Sequence, residues 1–165
     1  MLYLANRNRV HSPETERALR ASQGYLYLKL SREAAEELQE IAADEQDDPD
    51  VLLARIRVLL HERHWKAAEQ LSAQGCREYP EVDEFTVQRA FSLHQMQKGE
   101  KAVQVLLSAP EWLRRTGILH YNLACYEARL GDLSMARRCM NAAIQINSQV
   151  RKNARLDPDL QALWN

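Results

Sequence analysis

Alanine recurs at Ala34, Ala68, Ala102 and Ala136, an interval of 34 residues kept across most of the chain without a gap. Such a period is the length of one helix–turn–helix unit, so it constrains the fold more than any single motif does. Cut at that interval, the chain gives the blocks Thr15–Asp48, Pro49–Val82, Asp83–Thr116 and Gly117–Val150. The eighth place of each block reads Ser22, Ile56, Ala90 and Ala124, and the twenty-seventh reads Ile41, Gly75, Ala109 and Ala143. Small residues in these columns let two helices approach closely. The twenty-fourth place, Leu38, Ser72, Leu106 and Met140, is mostly bulky and apolar and fills the space between neighbours.

Within the blocks, apolar residues recur at three- and four-residue spacing, and no period-two alternation suggests a strand, so the chain is expected to be all-α. Pro13, Pro49, Pro80, Pro110 and Pro158 punctuate these segments, because a proline is tolerated at a helix start and seldom inside. Ser12-Pro13-Glu14 and Asp48-Pro49-Asp50 supply a capping oxygen, a preset φ and an acid facing the helix dipole. Expected helices run over about 13–29, 31–46 (capped by Ser31), 50–63, 65–79, 83–98, from 99 to the break at Pro110, and then on either side of Gly131-Asp132. Ala18, Leu26 and Leu28 belong to the first apolar face, and Ala34, Leu38 and Ala42 to the second. Residues 111–115 read as an irregular segment or short turn. Residues 151–155 read as an extension of the last helix, and Asp157-Pro158-Asp159 as the start of a short terminal helix whose Leu160, Leu163 and Trp164 fold back as a cap.

Period and pattern together resemble the tetratricopeptide repeat (TPR). The fourth block carries the likeness best, through Leu123, Ala124, Gly131, Asp132, Ala136 and Ala143, while the second adds Trp65 at the turn and Pro80. The family's aromatic at the fourth place is replaced by Ala18, Leu52, Thr86 and His120, and its aromatic at the eleventh survives only as Tyr25. The resemblance implies a right-handed superhelix, or solenoid, of about four helix–turn–helix repeats with a C-terminal capping helix, forming one domain over residues 1–165 with a capping tail at 151–165. It also implies a concave groove lined by the first helix of each pair.

On that implication the candidate groove residues are Arg20, Gln23 and Tyr27; Arg57 and His61; Gln88, Phe91, His94 and Gln95; and Tyr121, Asn122 and Arg129. Arginines and carboxamides with few acids suit a peptide or helix of another protein, one bearing carboxylates included. The expected function is therefore a protein-interaction scaffold or adaptor. An assembly or secretion chaperone that forms homo-oligomers through an array end is the alternative. The Lys and Asn clamp that some relatives use for a terminal carboxylate is not reproduced.

A net charge of −1 offers no general attraction for nucleic acid or an anionic membrane, and an RNA-reading helical repeat of similar period would need a basic face. Charge is uneven, with 11 Lys/Arg against 15 Asp/Glu in residues 1–82 and 11 against 8 in residues 83–165. Met1-Leu2-Tyr3-Leu4-Ala5-Asn6-Arg7-Asn8-Arg9 lacks the apolar run of a signal peptide, which sets the expectation of a cytoplasmic protein. Cys76, Cys125 and Cys139, an odd number without a CxxC pair, fit reduced thiols.

Catalytic chemistry is not expected, and neither a cofactor nor a metal is. His61-Glu62-Arg63-His64 has imidazoles three apart instead of the four of HExxH. Cys125 and His120 lie on adjacent turns, but no third orienting group accompanies them. Gly24, Gly75, Gly99, Gly117 and Gly131 are isolated and form no phosphate loop.

Overall fold

A computed structural model describes residues 11–164; the opening segment 1–9 read above lies outside them. Its helices are α1 (Pro13–Tyr27), α2 (Ser31–Gln39), α3 (Pro49–His61), α4 (Trp65–Glu78), α5 (Asp83–Gln95), α6 (Gly99–Leu107), α7 (Glu111–Arg114), α8 (Gly117–Leu130), α9 (Leu133–Ile146) and α10 (Val150–Ala154). Turns of 3-10 helix cover Ala43–Glu45 and Pro158–Leu163, and no strand occurs among the described residues. The fold is an all-α repeat of helix pairs.

The 34-residue period is written into the backbone. Each pair turns through one left-handed residue: Lys29 (φ 63°), Arg63 (φ 59°), Gln97 (φ 59°) and Gly131 (φ 92°). At each turn the next N–H reaches five residues back, Leu30 to Tyr25, His64 to Leu59, Lys98 to Leu93 and Asp132 to Glu127, at 2.8–3.0 Å. This closure satisfies carbonyls that the first helix of the pair leaves open. The second helix then starts the same way four times, with Ala34, Ala68, Ala102 and Ala136 donating to the carbonyls of Leu30, His64, Lys98 and Asp132. All four alanines are completely buried, as the close approach of paired helices requires.

Capping follows the sequence at Ser12 and Asp48, and the structure adds a cap at Asp132, which the sequence had marked only as part of a turn. Ser12 Oγ accepts from Thr15 N (3.2 Å), Asp48 Oδ1 from Asp50 N (2.8 Å) and Asp132 Oδ1 from Met135 N (2.8 Å). Ser31 is different: it is the first residue of α2, not its cap, because the preceding turn already sets the entry angle. The early ends of α1 and α2 also expose Leu28 and Ala42, which were expected on packing faces. Residues 111–115 form the short helix α7, and 150–154 form a separate helix after a break at Asn147-Ser148-Gln149.

The chain divides into two compact units, with the boundary between Phe85 and Thr86 inside α5. The N-terminal unit packs α1 on α2 and α3, and α3 on α4. Ala18, Leu26, Ala34, Leu38, Val51 and Val58 form one apolar cluster, and Leu52, Leu53, Ile56, Val82 and Phe85 another. Glu45 ties the loop after α2 to the start of α1 by accepting from Ser12 N (2.9 Å), Ser12 Oγ (2.7 Å) and the buried Thr15 Oγ1 (2.5 Å). Gly75 on α4 lies against the Phe85 ring so tightly that an added Cβ would sit 2.2 Å from Phe85 Cδ1.

The C-terminal unit centres on α8, which packs on α9, α6 and the terminal 3-10 turn. Leu106, Leu113, Leu119, Leu123, Tyr126 and Met140 make its core. Leu160 and Leu163 of the tail are buried in the same cluster, and Trp164 Nε1 donates to Ala154 O at 3.1 Å. The predicted fold-back of the tail is observed. Burying each leucine contributes about 1.5–3 kcal/mol.

Candidate functional site

The C-terminal unit gathers three of the sequence-predicted residues around its own tail. Tyr121 and Arg129 share one face of α8 because eight residues bring a helix round by slightly more than two turns. Tyr121 Oη donates to Asp157 Oδ2 at 2.6 Å, and Arg129 Nε lies 3.6 Å from Asp159 Oδ1. From α5, His94 Nε2 stands 2.8 Å from Asp159 Oδ2, with its ring stacked on Tyr126 at a centroid distance of 4.4 Å. The Cys125 thiol, one turn beyond Tyr121, faces Asp157 Oδ2 at 3.7 Å.

Pro158 stands between the two carboxylates as the first residue of the terminal turn. Asp157 Oδ1 accepts from Asp159 N at 3.0 Å and caps the terminal turn, which leaves Oδ2 for Tyr121. Burial, followed by the Asp157 hydrogen bond, pushes the Tyr121 phenol well above its ordinary range, so it stays a donor. Burial and the charges of Asp157 and Asp159 push the Cys125 thiol up in the same way. A nucleophilic cysteine needs the opposite environment, so the Cys125 and His120 pairing has no support here.

The other candidates are dispersed. In the N-terminal unit Arg57 Nη2 donates to Glu84 Oε1 at 2.7 Å, and Arg20 Nη2 to Glu16 Oε2 at 3.1 Å. Gln23 and His61 are exposed, and Tyr27 is 88% exposed. In the C-terminal unit Gln88 and Phe91 are half-buried, Gln95 is exposed, and Asn122 Nδ2 donates to Ile118 O of its own helix at 3.0 Å. All three candidate arginines thus meet a carboxylate of the chain itself.

Asp157 and Asp159 are the residues that sequence reasoning missed. Asp-Pro-Asp reads as a helix start, which it is; the free carboxylate oxygens of that start were the unread signal. The two histidines of 61–64 straddle the α3–α4 turn, with His64 Nδ1 3.3 Å from Glu62 Oε2. His11, Asp48 and Asp50 place ligand-type atoms within 4.8 Å of one another. There His11 Nε2 already lies 3.1 Å from Asp50 Oδ2, and Asp48 is the cap of α3.

No protein-family model and no curated protein matches the sequence. Solved structures of MamA do match the fold. The 41-end chain of MamA from Desulfovibrio magneticus RS-1 superposes with a TM-score of 0.68 at 17% identity, over 93% of this chain and 91% of that one. A double mutant of MamA RS-1 gives 0.69 at 17% identity over 88% and 82%, and MamA MSR-1 gives 0.64 at 16% over 86% and 83%. At this identity the likeness establishes the fold. No described helix is long and apolar enough to cross a membrane.

Proposed function

We propose that the chain is a TPR-like interaction domain, a scaffold or adaptor that holds a segment of another protein against the first helices of its pairs. Tyr27 carries the reading. A tyrosine 88% exposed beside exposed Gln23 on α1 offers the large, low-entropy contact area typical of protein interfaces. In the N-terminal unit the packing of α1 on α2 and α3 holds this face in place.

A photo-crosslinking residue placed at Gln23 or Gln88 is expected to trap a partner more efficiently than one at Gln70 or Gln104 on the second helices. Equal capture from all four would remove the first-helix faces as the interface.

The exposed run Tyr27, Leu28 and Leu30 at the α1–α2 turn favours a second reading, self-association through that apolar end. Light scattering separates the two, since a strict monomer at working concentration is incompatible with self-association.

A further inference from the structure

The terminal segment Asp157–Leu163 is attached to the C-terminal unit as a ligand would be. Its carboxylates take the polar groups His94, Tyr121 and Arg129, and its leucines take the apolar floor. The receiving polar groups all come from α5 and α8, first helices of their pairs, whereas a plain hydrophobic cap needs only Leu160 and Leu163. His94 is nearly buried, with 9% of its side chain exposed, so its bond to Asp159 is sheltered from competing water.

We propose that this face is a peptide-binding site held closed by the chain's own tail, and that its ligand is a partner segment of the form Asp-x-Asp-Leu-x-x-Leu, which displaces residues 157–163. The proposal rests on the interaction-domain reading above and names the ligand chemistry and its control. Two carboxylates spaced as Asp157 and Asp159 are spaced engage Tyr121 on one side and His94 with Arg129 on the other. Leucines one and four residues after the second carboxylate enter the pocket of Leu160 and Leu163. Because the tail competes from within the same molecule, the intact chain binds such a segment with an affinity reduced by the fraction of time the tail is undocked.

The test is a fluorescence-anisotropy titration of labelled Leu-Asp-Pro-Asp-Leu-Gln-Ala-Leu-Trp, the sequence of residues 156–164, into the full chain. Leu160→Ser with Leu163→Ser undocks the resident tail without touching His94, Tyr121 or Arg129. This variant is expected to bind the peptide at least about tenfold more tightly than wild type. Adding His94→Ala and Tyr121→Phe, or replacing both peptide aspartates by asparagine, is expected to reverse the gain. Equal affinity in wild type and variant, or no binding by a variant that keeps its helical circular dichroism, overturns the proposal. Should the variant lose its helices, hydrogen exchange of the wild type decides: saturating peptide must accelerate exchange across 157–164, and unchanged exchange overturns the proposal. Failure here with preserved crosslinking from Gln23 and Gln88 removes only this site, whereas loss of both removes the interaction-domain reading as well.

Discussion

Tyr121 and Asp157, 36 residues apart, are joined by a 2.6 Å hydrogen bond from the phenol to a carboxylate that also caps the terminal turn. One carboxylate therefore shapes the tail and fastens it to α8. Tyr121→Phe is expected to lower unfolding stability by about 1.5 kcal/mol, the usual worth of a hydrogen bond to a charged group. Urea denaturation measures it, and an unchanged midpoint would show that solvent replaces the bond at no cost.

Lys29, Arg63 and Gln97 occupy the left-handed position that Gly131 fills in the fourth turn. A side chain there meets the steric cost of positive φ, so replacement of each by glycine is expected to be stabilising by about 0.5–1 kcal/mol. Gly131→Ala is expected to cost about 1 kcal/mol by the same reasoning. Thermal melts of the four single variants suffice, and destabilisation by all three glycines would contradict the turn geometry.

Gly75 has room for a hydrogen atom and nothing larger, because the fully buried Phe85 ring fills the place of a Cβ. Gly75→Ala is expected to destabilise by about 1–3 kcal/mol through overpacking. Phe85→Leu in the same chain should recover part of the loss, and a double-mutant cycle reads the coupling. Strict additivity would exclude the contact as the cause.

Glu45 is held at about 2, below its ordinary 4.5, chiefly by the Thr15 hydroxyl and then by the Ser12 backbone and hydroxyl. A lowered folded-state value means that the carboxylate stabilises the fold fully above about pH 4.5 and loses this contribution as pH falls toward 2. Wild-type melting temperature should therefore drop more steeply than that of Glu45→Gln over this window. Parallel curves would rule Glu45 out as the source.

Much of the repeat was legible because its constraints are local and recur. Ala34, Ala68, Ala102 and Ala136 must be small wherever a second helix closes on a first, and all four are buried. Gly131-Asp132 was readable as a turn from residue type, whereas Lys29, Arg63 and Gln97 make the same turn with side chains that give no such signal. Helix ends were less readable: Leu28 and Ala42 continue an apolar pattern past the point where the backbone turns away.

The candidate site divides in the same way. Residue periodicity placed Tyr121 and Arg129 on one helical face, and the small-residue columns determined four helix pairs. Only the tertiary structure decided that Asp157 and Asp159 return to meet that face, that Glu84 meets Arg57, and that Gly75 accommodates Phe85. Helical spacing and steric size are properties of neighbours along the chain. Which carboxylate satisfies which donor depends on where a distant segment finds a pocket for its leucines, and that is settled by packing.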